Sequence, residues 1–314
     1  MQIYQVGFIF TRCYLQKRIE LRSGVTIIPL SPSGSSAELH VIRELLEQAN
    51  YNFSRKMLQS SLLNFQKTGQ SILVLYDSVE SDQVNNAIEI KETDANAIAG
   101  AAAIVSANPV IPLCAYANND VEHGLKFYFP NDSIIQHGTN IHGFLDVIAD
   151  IYNRATTDEK FSLLLRLYRA SLRETEIDNQ ILFQLILLEE ASDNSVGKSF
   201  AERLRNFCTE QQIIGDFDAI ASELNVVLPG GKDLIDVLIK LRNAASHNGK
   251  IDEDSLRQYN ADWVIPLIRD KELLYKLVRD VIRFTFCCIV GHHRDKWATK
   301  VEPNSDGLFI VRFD

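Results

Sequence analysis

The residues of this chain best suited to chemistry lie in a nine-residue segment, LRNAASHNG, at positions 241–249. Arg242 carries a permanent, forked positive charge that suits a phosphate group. His247 can take up and release a proton near neutral pH. Such a pair could cleave a phosphodiester bond without a metal ion. We therefore take Arg242 and His247 as candidate catalytic residues, together with Asn243 and Ser246, which lie between them.

The spacing of these residues predicts a broad polar arc at the end of a helix. Arg242 and His247 are five positions apart, which separates them by about 140° around a helix of about 3.6 residues per turn. Arg242 precedes Ser246 by one turn, and Asn243 precedes His247 by one turn. The other side of the helix is apolar and should be buried (Val237, Leu238 and Leu241). The dipeptide Asn248-Gly249 should end the helix.

An arc of this width suits a site that is completed by a second copy of the same helix. Across a two-fold axis, two arginines and two histidines could converge on one phosphate. One histidine would remove the 2′-OH proton while the other protonates the leaving 5′-oxygen. The guanidinium groups would stabilise charge on the non-bridging oxygens.

Residues 144–292 resemble the HEPN superfamily, and in particular the domains called Apea-like. The resemblance rests on the Arg-x4-His pattern in LIKLRNAASHNG and on the order of the predicted helices. An opening helix pair ends in LILLEEAS, a shorter helical region follows, and a long helix comes after the motif. The resemblance covers about half of the chain.

The resemblance implies an all-helical bundle that acts as a homodimeric, metal-independent endoribonuclease on tRNA or mRNA. It implies that Arg242 and His247 are catalytic and that Asn243 is the polar residue of the motif. It also implies a role as a toxin or in defence against phage. Some HEPN toxins carry a tyrosine two residues after the histidine, which a partner enzyme modifies. This chain has Gly249 there, so regulation by that route is not expected.

A simpler interpretation of the motif stays open. In a chain with seven histidines and many arginines, Arg242 could pair with a surface carboxylate and His247 could cap a helix. Glu189 and Glu190 end an apolar helical run, and one of them could form an ion pair with Arg242 and orient it. The intact bundle could then be a catalytically silent module for dimerisation or ligand binding. A third alternative places the activity in the N-terminal half.

The charge of the chain restricts how it could bind RNA. The net charge is −9 at pH 7, which argues against binding nucleic acid through bulk electrostatics. An RNA contact must then be a local basic patch. Lys276, Arg279 and Arg283 lie at i, i+3 and i+7 on the last long helix and could follow an RNA backbone. The alternative is a solvated helix face partnered by Glu272 and Asp280.

The cysteines favour a reducing compartment and no metal site. The five cysteines are scattered and form no C-x-x-C pair, which is typical of reduced, buried thiols in a cytoplasmic protein. Cys288 and His292 have the i, i+4 spacing of a helical chelate, and Cys287 and His293 lie beside them. A closed zinc site needs four ligands, and no second cluster is evident. We expect no metal, no cofactor, no signal peptide and no membrane span.

The pattern of the remaining sequence predicts two domains with different folds. We place a strand-rich α+β domain at residues 1–135, a linker at 136–143 and a helical domain at 144–314. The predicted strands are IYQVGFIF, GVTIIPL, ILVLY, AIEIK, VIPLCAY and GLKFYF, with helices over 37–50 and from about Thr93 to Ser106. We expect the N-terminal domain to be a sensor, an inhibitor or a specificity element, through which a regulatory partner or trigger acts.

Overall fold

The computed structural model describes residues 1–13, 15, 18–22, 24–30, 71–128, 145–248, 250–293, 300–303 and 309–312. The chain forms two compact units, with residues 1–128 of this set in the first and 145–312 in the second. The helix predicted over 37–50 and the linker predicted over 136–143 lie outside the described residues. The domain boundaries proposed from the sequence therefore stay a prediction.

The first unit is built on a six-stranded antiparallel sheet with the strand order β2-β3-β4-β1-β5-β6. Its strands are β1 (Gln2–Thr11), β2 (Ile19–Arg22), β3 (Val25–Pro29), β4 (Ser71–Ser81), β5 (Ile111–Asn118) and β6 (His123–Phe127). The two central strands, β1 and β4, are apolar over most of their length because both faces of the sheet are covered there. Residues 71–76 are all buried, which confirms the expectation from the continuous apolar run ILVLY.

One glycine on β1 makes room for an aromatic side chain of the neighbouring strand β5. Gly7 on β1 lies opposite Tyr116 on β5. A Cβ atom at Gly7 would lie 2.3 Å from the ring of Tyr116, which is far inside van der Waals contact. The strand therefore needs glycine at this position so that the tyrosine ring can lie across it.

The helix α1 (Val84–Ser106) packs on this sheet. Small side chains let its backbone approach the strands, and Ala95, Ala99 and Ala102 are fully buried. The predicted end at Ser106 is confirmed, but the predicted strand at 87–91 is wrong. Those residues lie in the first turns of the helix. The alternation AIEIK is too short to distinguish a strand from a helix in which Ile88 is buried and Ile90 is exposed.

The hairpin predicted from VIPLCAY and GLKFYF is confirmed. Strands β5 and β6 pair in antiparallel register from Cys114 opposite Phe127 to Asn118 opposite His123. The connecting loop has only the four residues 119–122, because β5 ends later and β6 begins earlier than predicted. Asn119 closes the loop, since its side-chain oxygen accepts hydrogen bonds from the backbone N–H groups of Val121 and Glu122.

The second unit is helical over residues 145–289, as the sequence predicts. Its helices are α2 (Leu145–Thr157), α3 (Glu159–Ser171), α4 (Ile177–Ser192), α5 (Phe200–Glu210), α6 (Ile214–Glu223), α7 (Leu234–Asn248), α8 (Glu253–Gln258), a 3₁₀ turn (Asp262–Val264), α9 (Ile265–Arg269) and α10 (Lys271–Ile289). Two short strands follow, β7 (Lys300–Pro303) and β8 (Phe309–Arg312). This antiparallel pair was not expected from the sequence.

The helix α4 lies at the centre of the second unit and packs against α3, α5, α7 and α10. Its packed side is apolar, with Ile181, Leu185 and Leu188 buried, whereas Phe183 and Ile186 on the opposite side are 37% and 42% exposed. Aromatic rings complete the contact between α3 and α10, with the ring of Phe286 5.4 Å from that of Phe161 and 5.9 Å from that of Tyr168.

The long helix predicted after the motif begins only at Lys271, because the chain is interrupted at Asp270. The carboxylate of Asp270 accepts a hydrogen bond from the backbone N–H of Leu273, at 2.9 Å, and so caps the start of α10. In the part of the chain that the structure describes, no helix combines the length and the apolar character needed to cross a membrane.

Candidate functional site

The helix α7 positions the candidate catalytic residues. Its apolar side is buried as the sequence predicts, with Val237, Leu238 and Leu241 each at 0% exposure. The helix ends at Asn248, next to the predicted Asn-Gly stop. Arg242 and Asn243 are partly exposed. The polar arc is therefore anchored by the core contacts of its own helix.

Arg242 is held by a carboxylate of the central helix. Its Nε donates a hydrogen bond to Oε2 of Glu189 at 2.9 Å, and its Nη2 donates to Oε1 of the same carboxylate. Both side chains are 24% exposed. Of the two acidic residues that the sequence offered as partners, Glu189 forms the pair, and Glu190 is exposed. The two-point contact fixes the plane of the guanidinium group.

An aromatic ring and an amide complete the surroundings of Arg242. The guanidinium carbon lies 5.1 Å from the centre of the Phe200 ring, which is a cation–π distance. Nη1 is 3.5 Å from Oδ1 of Asn243. Glu189 thus holds one edge of the Arg242 guanidinium, and Phe200 covers one of its faces. Among the described residues, Nη1 contacts only Asn243, at a long distance.

A second arginine shares the same carboxylate. Nη2 of Arg203 lies 3.7 Å from Oε1 of Glu189, and its Nε lies 3.7 Å from Oδ1 of Asp193. The formal charges of Arg203, Arg242, Glu189 and Asp193 balance. The cluster therefore has no net positive charge with which to attract a phosphate. It can still bind one through the N–H donors of its arginines.

The sequence did not identify Phe200 and Arg203 as part of the site. Both lie on the first turn of α5, which begins with a capping box between Ser199 and Glu202. The pattern Ser-x-x-Glu predicts where this helix begins. It does not predict that the first turn faces α4 and α7, because that depends on the packing of three helices.

His247 lies in the last turn of α7, but its side chain lies outside the described residues. Ser246 is exposed on the same turn. Residues 242 to 247 all lie on α7, so their helical spacing is the predicted one.

The basic stripe proposed on the terminal helix is not a solvent-facing surface. Arg279 is only 4% exposed, with Nε 3.0 Å from Oδ1 of Asp280 and its guanidinium carbon 5.7 Å from the centre of the Tyr275 ring. Arg283 is 14% exposed and pairs with the same carboxylate at 3.2 Å. Only Lys276 is exposed. Arg279 and Arg283 are therefore not available as an RNA-facing stripe, because their stems are buried and both guanidinium groups pair with Asp280.

The cysteines are reduced and buried, as expected. All five are free thiols with buried side chains. Burial raises the pKa of the Cys208 and Cys287 thiols to about 12, so these thiols are protonated at neutral pH.

The chain was compared with known proteins in three ways, and no family model, no curated protein and no solved structure matches it.

Proposed function

We propose that the helical unit is a metal-independent endoribonuclease of the HEPN type that acts as a homodimer. The observation that carries the proposal is the way Glu189 and Phe200 orient the guanidinium of Arg242. A guanidinium has five N–H donors. Glu189 takes two of them, which leaves the donors on Nη1 and one on Nη2 for the oxygens of a phosphate.

In this proposal Arg242 stabilises the charge that develops on the non-bridging oxygens of the scissile phosphate. His247 of one copy accepts the 2′-OH proton, and the 2′-oxygen attacks phosphorus. The P–O5′ bond breaks, and His247 of the other copy gives its proton to the 5′-oxygen. The products are a 2′,3′-cyclic phosphate and a 5′-hydroxyl end. Asn243 and Ser246 lie beside these residues on α7 and would contact the substrate.

The proposal includes the setting in which the enzyme acts. The five free thiols fit a reducing compartment, so we place it in the cytoplasm. An unregulated ribonuclease there would harm its own cell. We therefore assign to the sheet unit the role of a sensor or inhibitor, in a toxin or anti-phage system that responds to a trigger.

One observation favours a second candidate function, a silent bundle for dimerisation or ligand binding. The charge of Arg242 is already balanced by Glu189, as it would be in a purely structural ion pair. In that case neither the wild type nor any variant of Arg242 or His247 would cleave RNA, and Arg242→Ala would weaken the dimer.

The experiment that separates the two incubates total RNA with the full-length protein in EDTA and maps the product ends. Wild type should cut RNA and leave 2′,3′-cyclic phosphates, and His247→Ala should be inactive. His123→Ala is the matched control, because this exposed histidine lies in the sheet unit. A requirement for magnesium or manganese would refute the mechanism.

Arg242→Lys tests the forked contact in the same assay. Lysine keeps the charge but offers a point ammonium in place of two parallel donors. We expect a fall in rate of about a hundredfold, which is typical for the loss of one transition-state donor. The melting temperature should change little, because the residue is partly exposed. An Arg242→Lys protein that cuts RNA as fast as wild type would refute the assignment.

A further inference from the structure

Three metal-ligating side chains that are far apart in sequence meet at one end of α10. The carboxylate of Asp216, the thiol of Cys288 and the imidazole of His293 place one ligand atom each within 4.8 Å of one another. Asp216 lies in the first turn of α6, and Cys288 lies in the last turn of α10. These residues take no part in the site around Arg242.

The turn at the end of α10 explains how His293 reaches Cys288. Gly291 adopts a left-handed conformation with φ of +81°. The N–H of His292 donates to the carbonyl of Cys287, and the N–H of Gly291 donates to that of Cys288, both at 2.9 Å. These two bonds form a Schellman motif, which reverses the chain direction after a helix. His293 therefore folds back toward the last turn of the helix.

The neighbouring histidine is directed elsewhere. Nε2 of His292 lies 2.5 Å from Oδ2 of Asp150 on α2. The sequence places Cys288 and His292 four residues apart, a spacing that fits a helical chelate, but we expected no metal there. In the structure the histidine near Cys288 is His293 and not His292. Asp216, which lies 72 positions before Cys288, is the third member of the cluster.

We propose that Asp216, Cys288 and His293 bind one zinc-type divalent cation. Sulfur, imidazole nitrogen and carboxylate oxygen are the three ligand types that zinc accepts together in proteins. Cys288 Sγ is 3.7 Å from Oδ2 of Asp216, and the cation would take the place of the thiol proton. His293 is partly exposed, so a water molecule completes the tetrahedron from the solvent side.

The bound cation would join the end of α10 to the start of α6. Because the ligands come together only in the folded chain, binding stabilises the fold by an amount that rises with the logarithm of the free metal concentration. This role is separate from RNA cleavage. The site contains neither Arg242 nor His247, and its test does not depend on ribonuclease activity.

The test measures zinc and cobalt binding to the full-length protein by equilibrium dialysis and absorption spectroscopy. We expect one Zn²⁺ per chain at micromolar concentration or below, together with a higher melting temperature. Co²⁺ should give the charge-transfer band of a thiolate complex. Each of Asp216→Asn, Cys288→Ser and His293→Ala should weaken zinc binding by at least tenfold, and Cys288→Ser should abolish the cobalt–thiolate band.

Each ligand variant has a matched control nearby. Asp218→Asn changes an exposed acid on the same helix, Cys287→Ser changes the adjacent buried thiol, and His292→Ala changes the adjacent histidine. These variants should bind zinc as wild type does. His293→Ala keeps the test decisive if the cysteine variants fold poorly, because His293 is partly exposed.

Two results would overturn the proposal. The first is the absence of stoichiometric zinc binding to wild type. The second is equal zinc affinity in His293→Ala, Asp216→Asn and the control variants, which would place the metal elsewhere in the chain.

Discussion

Glu189 and Arg242 form a two-point ion pair across α4 and α7, with Nε and Nη2 of the arginine both donating to one carboxylate. The same carboxylate also lies 3.7 Å from Arg203. Glu189 therefore links three helices through charge as well as through packing. In the proposed enzyme it is a positioning residue, since it sets the orientation of Arg242.

Replacing Glu189 with glutamine should separate positioning from simple charge balance. Glutamine removes the negative charge of the pair and offers one acceptor oxygen where the carboxylate offered two. We expect kcat for RNA cleavage to fall by about tenfold, on the order of 1.4 kcal/mol. The KM should stay unchanged or decrease, because a negative charge that repels RNA is lost. Steady-state kinetics on a defined RNA measures both quantities.

The effect of Glu189→Gln on stability should be small. Both partners are about a quarter exposed, so the loss in the free energy of unfolding should be about 1 kcal/mol. Glu190→Gln is the control, because that neighbour is exposed and should change neither kinetics nor stability. An unchanged kcat in Glu189→Gln would show that Glu189 does not position the catalytic arginine.

Arg279 should contribute to stability and not to RNA binding. It is buried between Tyr275 and Asp280, and Arg279→Ala would remove that packing and one partner of the carboxylate. We expect the free energy of unfolding to fall by about 2 to 3 kcal/mol. The exposed Lys276→Ala should change it by less than about 0.5 kcal/mol. Urea denaturation followed by circular dichroism measures both. If Arg279→Ala left the stability unchanged and weakened RNA binding, the prediction would be wrong and Arg279 would be an RNA-binding residue.

The sequence was sufficient to predict the buried side of α7 and the central strands. In both cases an apolar pattern repeats over two or more turns, or over a whole strand, and burial follows from it. The segment at 87–91 shows the limit of this argument. Five alternating residues fit a strand, and only the sheet beneath α1 determines that Ile90 faces solvent and Ile88 does not.

The candidate site was predictable in part. The motif identified Arg242, and the acidic end of α4 offered Glu189 and Glu190 as partners, of which Glu189 forms the pair. Phe200 and Arg203 were not predictable, since they reach Arg242 only through the packing of α5. Asp216 was missed for the same reason. Its position beside Cys288 depends on contacts between helices that are distant in sequence.

Alkaline pH should destabilise the sheet unit through two buried thiols. Burial raises the pKa of Cys13 and Cys114 to about 12, whereas an unfolded thiol titrates near 8.5. The native state therefore holds these protons more tightly than the unfolded state does. Their contribution is complete below about pH 8.5 and is lost as the pH rises toward 12. At pH 10 the loss should be about 2 kcal/mol per thiol.

Urea denaturation between pH 7 and pH 10 tests this prediction. The free energy of unfolding should fall more steeply with pH in wild type than in a Cys13→Ala/Cys114→Ala double variant, although lysines and tyrosines titrate in both. As a second readout, a thiol-alkylating reagent at pH 8 should modify both cysteines slowly in the native protein and rapidly in urea. Equal pH slopes in the two proteins would contradict the assignment of this effect to the buried thiols.

A charge placed at Ser246 should dissociate the proposed dimer. Ser246 is exposed on the last full turn of α7, one turn after Arg242, and would lie close to its own copy if two α7 helices met across a two-fold axis. Ser246→Glu would then bring two like charges together, at a cost of several kcal/mol. We expect the dimer dissociation constant to rise by at least a hundredfold in sedimentation equilibrium, and RNA cleavage to fall with the dimer fraction.

Ser222→Glu is the matched control, because this exposed serine lies on α6 and should leave the dimer intact. A wild-type protein that is monomeric at micromolar concentration, or a Ser246→Glu dimer as tight as wild type, would exclude a composite site built on α7.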